Sequence, residues 1–134
     1  MAQAPTFYPI VSYRDAQAAL DWLQEAFGFG KLFATPGPDG AIAHAELSFG
    51  TGVVMLNTAR AVGEQASDWR DATQSVYVAV EDPDAHYEQA RAAGAKITRE
   101  LEDTDYGSRE YSARDLEGHH WHFGTYRPSP GGER

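Results

Sequence analysis

The residues best suited to chemistry in this chain come in pairs. His120 and His122 stand two apart in HHWHFGTY, and His44 and Glu46 stand two apart in AIAHAELSF. On a β-strand, residues i and i+2 share a face, with Cα atoms about 7 Å apart. An H-x-H pair at that spacing can grip zinc. If both pairs face one cleft, His44, Glu46, His120 and His122 make a candidate site for a divalent metal such as zinc. The plainer alternative is that each His hydrogen-bonds a neighbour or is partly exposed. Arg109 is a third candidate, because a guanidinium can bind a ligand carboxylate or phosphate bidentately. A Glu46–Arg109 salt bridge would satisfy both groups with no ligand at all.

Other chemistries are excluded or unsupported. The chain has no cysteine, so disulfides, thiolate zinc sites, iron–sulfur clusters and cysteine nucleophiles drop out. G-x-S-x-G is absent, and neither Ser48 nor Ser112 has an arranged His–Asp context. G-x-G-x-x-G, G-x-x-x-x-G-K-[ST] and H-E-x-x-H are absent too. The net charge of -9 over 134 residues repels phosphate backbones and anionic bilayers. The expected partner is a small molecule, with no nucleic acid and no membrane. The start, MAQAPTFYPIV, lacks a basic region followed by an apolar run, and no stretch approaches a membrane span. These absences give the expectation of a soluble, cytoplasmic protein.

The elements that must position these residues follow from periodicity. Residues 6–12 read as a strand, with Pro9 near its edge or start. Ala16, Ala19, Leu20, Leu23 and Phe27 recur at helical spacing after Asp15, and Gly28 stops the run. KLFATP, AIAHAELSF and VVMLNT read as strands, and the glycines around Thr51 turn the last two into a hairpin. The order then repeats. QSVYVAV is a strand, and Asp82 and Pro83 open a second helix that Gly94 ends. AKITREL, REYSARD and HHWHFGTY are the remaining strands. The division is a first β-α-β-β-β module at 1–58, a connector at 59–73, a second module at 74–126 and a disordered tail at 127–134. Trp69 in the connector reads equally as a lid over a ligand or a structural plug.

This order, with the words RDAQAALDWLQEAFGF, HAELSFGTGVVMLN, VEDPDAHYEQARAAGA and ARDLEGHHWHF, resembles the glyoxalase/bleomycin-resistance/extradiol-dioxygenase superfamily, also called vicinal oxygen chelate proteins. HAEL, the second helix and G-x-R followed by D-x-x-G-H-x-W look most like the PhnB-like subgroup. The resemblance covers about residues 6–126. It implies an α+β fold of tandem β-α-β-β-β repeats whose mixed sheets form a concave cleft. It also implies a homodimer, with or without exchanged modules. Metal-dependent members take one ligand from the first and last strand of each repeat, leaving positions open for vicinal substrate oxygens. Those positions fall on Pro9, Leu56, Ser75 and His122, of which only His122 is a good ligand.

Alternation then suggests which residues line the cleft. His44 and Glu46 lie on the mixed face of their strand, opposite Ala45 and Leu47. Arg109 and Tyr111 are assigned to the cleft with Ala113, as are Phe7, Val11 and Tyr77. Leu56 and His122 join them as occupants of superfamily ligand positions. The resulting expectation is a small-molecule binding protein with no metal cofactor that sequesters a drug or metabolite. The alternative is a metal-dependent lyase, isomerase or dioxygenase with an atypical His-rich site. The sequence leaves open whether the protein is an enzyme.

Overall fold

In a computed structural model, the described residues are 5, 7–59 and 74–128. Trp69 and most of the connector lie outside them, as does the tail beyond Pro128. The chain forms two compact units, each holding one sheet and one helix. The fold is α+β.

The first unit runs β1 (Ile10–Tyr13), α1 (Ala16–Phe27), β2 (Gly30–Pro36), β3 (Ile42–Phe49) and β4 (Gly52–Thr58). Its sheet order is β1-β4-β3-β2, with β1 parallel to β4 and the other pairs antiparallel. Helix α1 forms where expected. Asp15 caps it by accepting from the Ala18 N–H, and Gly28 ends it. Ala16, Ala19, Leu20, Leu23, Ala26 and Phe27 are buried along one stripe. Against them lie Val11, Ala45, Leu47, Val54 and Leu56, which are buried too. The sheet therefore has one face under the helix and one open face.

The second unit repeats the plan: β5 (Val76–Ala79), α2 (Pro83–Ala92), β6 (Lys96–Asp103), β7 (Arg109–Arg114) and β8 (His120–Gly124). The order β5-β8-β7-β6 matches that of the first sheet, again with one parallel pair. Asp82 caps α2, and Pro83 sits in its first turn. The helix-side core is aromatic. Tyr111 and Phe123 stack at 5.0 Å, and His86 of α2 packs on Phe123 at 4.5 Å. Among the described residues, no helix is long and apolar enough to cross a membrane.

The D-x-x-G-H-x-W word has a structural explanation. Asp115 Oδ1 accepts from the N–H groups of Glu117 and His119, and its Oδ2 accepts from Trp121 Nε1 at 3.0 Å. Gly118 closes the turn at φ 96, a left-handed value that favours glycine. One buried carboxylate thus shapes the β7–β8 turn and anchors a fully buried Trp. Replacing Asp115 by Ala strands these donors. It should cost on the order of 1.5–3 kcal/mol in denaturant unfolding, the range for hydrogen bonds to a charged group.

Candidate functional site

Cross-strand register decides which side chains reach each open face. In the first unit, Glu46 lies between Phe33 of β2 and Met55 of β4. His44 pairs with Thr35, Ile10 with Met55, and Ser12 with Asn57. The open face therefore carries Ile10, Ser12, Phe33, Thr35, His44, Glu46, Met55 and Asn57. His44 Nε2 lies 2.8 Å from Glu46 Oε2, and the His44 ring lies 5.7 Å from that of Phe33. Ser12 donates to Asn57 Oδ1 at 2.6 Å. Ile10 is 62% exposed there, so the face mixes one carboxylate with apolar surface.

Two expectations for this unit need revision. Leu56 pairs with Ala45 and Val11 and is 0% exposed under α1. It belongs to the core and not to the open face, and so does Val11. The reason is period two: once Val54 packs under the helix, Leu56 must follow, and Met55 and Asn57 turn outward. Phe7 lies ahead of β1 and is 90% exposed, outside the strand that was to aim it.

In the second unit, Trp121 and Phe123 are buried, so His120, His122 and Gly124 take the open face of β8. Tyr77 pairs with His122 from β5. Ser112 pairs with His122, Arg114 with His120, and Glu110 with Gly124. The β7 residues on the open face are thus Glu110, Ser112 and Arg114. Arg109 and Tyr111 point the other way, which corrects their placement in the cleft. Tyr111 is 0% exposed, and its hydroxyl lies 2.6 Å from His86 Nδ1. Arg109 forks onto Asp84 of α2 at 2.7 and 3.1 Å and also reaches Asp103. Within the first unit Glu46 pairs with His44, and within the second Arg109 pairs with Asp84.

The residue missed in the sequence is Glu110. It is only 5% exposed, yet it accepts from Arg99 Nη2 at 2.8 Å and from the Tyr106 hydroxyl at 2.9 Å. Burial pushes its carboxyl up, but the Arg99 guanidinium and the Ser108 and Tyr106 hydroxyls outweigh that and hold it below the usual range. A register shift in β6 between Ile97 and Arg99 lets consecutive residues serve this face: Thr98 bonds His120, and Arg99 bonds Glu110. Gly124 makes the room. A Cβ there would stand 2.5 Å from Glu110 Cγ and 2.7 Å from the Tyr77 hydroxyl, which itself donates to the Tyr126 carbonyl. That glycine, opposite an acid in REYSARD, was the one sequence signal for the niche.

The two histidines complete the face. Their rings lie 4.5 Å apart; His120 Nε2 bonds Thr98 Oγ1 at 2.9 Å, and His122 Nδ1 bonds Ser112 Oγ at 2.6 Å. Burial lowers both pKa values, helped at His120 by His122 and Arg114, and at His122 by Arg99 against the pull of Glu110.

The family's four-strand metal does not fit these residues. In the first unit the first and last strands, β1 and β4, offer their open face only Ile10, Ser12, Val53, Met55 and Asn57, with no imidazole or carboxylate. Within either unit, no three described His, Asp or Glu side chains group to hold an ion.

Comparison with known proteins agrees with this architecture. Residues 8–123 match the Glyoxalase/Bleomycin resistance protein/Dioxygenase superfamily. The chain belongs to that superfamily. An uncharacterized protein of Mycobacterium bovis is 33% identical over 125 residues, covering 90% of this chain and 82% of its own length. Among solved structures, TioX from Micromonospora sp. ML1 is 35% identical with a TM-score of 0.74, covering 93% of this chain and 98% of its own. The bleomycin-binding protein of Streptomyces verticillus, solved with copper(II)-bleomycin, shares the fold at 22% identity and a TM-score of 0.64. That match covers 92% of this chain and 97% of the other.

Two outcomes test the open face of the second unit. Gly124→Ala should destabilise the fold by about 1–3 kcal/mol through overpacking, and Glu110→Ala in the same chain should recover part of that loss in thermal unfolding. The histidines should titrate below the ordinary value of 6.5 in NMR. Because the unfolded chain takes up those protons first, their contribution is fully present above that value. It falls as the pH drops toward the lowered folded values.

Proposed function

We propose that this protein is a small-molecule binding protein of the bleomycin-resistance type, with no resident metal, working by sequestration. The observation that carries the reading is the donor set. On the open face of the first unit β1 and β4 present only Ile10, Ser12, Met55 and Asn57 where metal-dependent members carry ligands, and Leu56, which the sequence put at one of those positions, is buried under α1. The open faces instead present aromatic rings, imidazoles and tethered carboxylates, the lining of a site that recognises a ligand without activating it. A homodimer would bring more of that surface onto one ligand, and the sequence words HAEL and D-x-x-G-H-x-W resemble those of the PhnB-like subgroup. A cytoplasmic protein with a drug or metabolite as its ligand fits this reading.

The rival is a metal-dependent lyase, isomerase or dioxygenase, favoured by the His120–His122 pair. Metal analysis of protein purified without a His-tag separates the two: the binder carries no stoichiometric ion, and the enzyme does.

The side chains make the prediction specific. In calorimetric titration of cationic and neutral small molecules, Glu46→Gln should weaken the cationic ones roughly ten- to a hundredfold and spare the neutral ones, through loss of a charge-assisted bond. Arg109→Lys should leave carboxylate ligands unaffected and the thermal melting temperature nearly unchanged, because its fork grips the exposed Asp84. Equal loss of both ligand classes in Glu46→Gln, or loss of carboxylate binding in Arg109→Lys, would sink the assignment of faces.

A further inference from the structure

We propose that Lys96 and Arg114, side by side on the open face of the second unit, form an anion-binding subsite that takes a carboxylate or phosphate group of a small-molecule ligand. The inference rests on reading that face as ligand-binding and goes beyond it by naming a charge class for the ligand and the residues that hold it.

Register brings the two cations together. Lys96 of β6 pairs with Arg114 of β7, and Arg114 pairs with His120 of β8. Paired residues share a sheet face, with Cα atoms about 5 Å apart. One row across three strands thus reads Lys96, Arg114, His120. Like charges directly opposite each other on neighbouring strands destabilise a sheet. Relief is within the chain's means, because it has 20 acids against 11 lysines and arginines. Three arginines of this unit use it: Arg91 pairs with Glu88, Arg99 with Glu102 and Glu110, and Arg109 with Asp84 and Asp103. Among the described residues, neither Lys96 nor Arg114 has a carboxylate partner. Asp115, next in the chain, is committed to the β7–β8 turn and to Trp121.

Arg114 is also held ready. It is half-buried, and its Nη1 donates to the Gly118 carbonyl at 3.0 Å. That bond fixes the guanidinium and leaves its Nε–Nη2 edge without a partner among the described residues. Such an edge matches two oxygens of a carboxylate or phosphate. Lys96 is exposed and adds a second charge on a flexible stem. An anion bound here offsets the repulsion that the fold leaves in place, and local conflicts of this kind persist where function needs them. The net charge of -9 acts at longer range and is screened beyond about 8 Å at physiological ionic strength, so the adjacent cations govern contact.

The test titrates the full-length protein with four matched probes: benzoate, phenyl phosphate, neutral benzamide and cationic benzylamine. NMR follows the backbone signals and the Arg114 Nε–H. At least one of the two anions should shift Lys96 and Arg114 saturably and bind ~tenfold or more tightly than benzamide. Which anion binds better separates a carboxylate ligand from a phosphate one. Arg114→Gln should weaken that anion ~tenfold, and Arg114→Lys several-fold, since the planar fork is lost. Lys96→Gln should weaken it too, and by removing a like charge it should leave the melting temperature unchanged or raised. Lys31→Gln, in the first unit, should bind as the unaltered protein does. Anions that bind no better than benzamide overturn the inference, and so does full anion binding by both Arg114→Lys and Lys96→Gln. A lowered melting temperature in Lys96→Gln overturns it as well, because the lysine would then serve the fold. Binding of benzamide or benzylamine without either anion removes only this inference, and silence from all four probes removes the ligand-binding reading as well.

Discussion

Everything in each unit depends on a single helix lying across one face of a four-stranded sheet. Burying Leu20, Leu23 and Phe27 against Leu47, Val54 and Leu56 removes the largest apolar surface of the first unit from water. That contact sets the phase of every strand under it. Side chains alternate, so committing one residue to the helix commits its neighbours to the open side. In the second unit Tyr111, Trp121 and Phe123 do the same beneath α2. The open faces are what remains, and their chemistry is a consequence of the core.

That dependence explains what could be read in the sequence. The helices were legible because caps and stripes agree: Asp15 with Gly28, Asp82 with Pro83. The β3 strand was legible because only one of its faces is polar. His44 and Glu46 oppose Ala45 and Leu47, and burial follows that pattern. REYSARD was not legible in the same way, since both of its faces carry polar groups. Arg109, Tyr111 and Ala113 include a charge, yet they are the helix-facing set. The guanidinium escapes onto Asp84, and the Tyr111 hydroxyl finds His86. Tyr111 beside Ala113 was the more apolar choice and marked the buried side. VVMLNT misled for the opposite reason, because Leu56 and Met55 are equally apolar and only register to Ala45 separates them.

The polar cluster of the second unit is built from pieces far apart in sequence. Arg99 and Thr98 come from β6, Glu110 and Ser112 from β7, and His120, His122 and Gly124 from β8. Its logic is steric as much as electrostatic. A glycine on β8 leaves space that a carboxyl and a phenol fill, and a guanidinium keeps that carboxyl ionised despite burial. No local pattern announces such an arrangement, since each residue is ordinary on its own strand. The D-x-x-G-H-x-W word drew attention to the same region for a structural reason, the Asp115–Trp121 bond.

The central claim is that ligands meet the open faces, while the helix faces serve only the core. Backbone and side-chain chemical shifts followed by NMR during titration with a small molecule that binds test it most directly. The account predicts perturbations on an open face, around Glu46 in the first unit or around Tyr77, Glu110, Ser112 and His122 in the second, with Asp84, Arg109 and Tyr111 left in place. Perturbations centred on Asp84, Arg109 and the α2 surface, with the open faces silent, would contradict it.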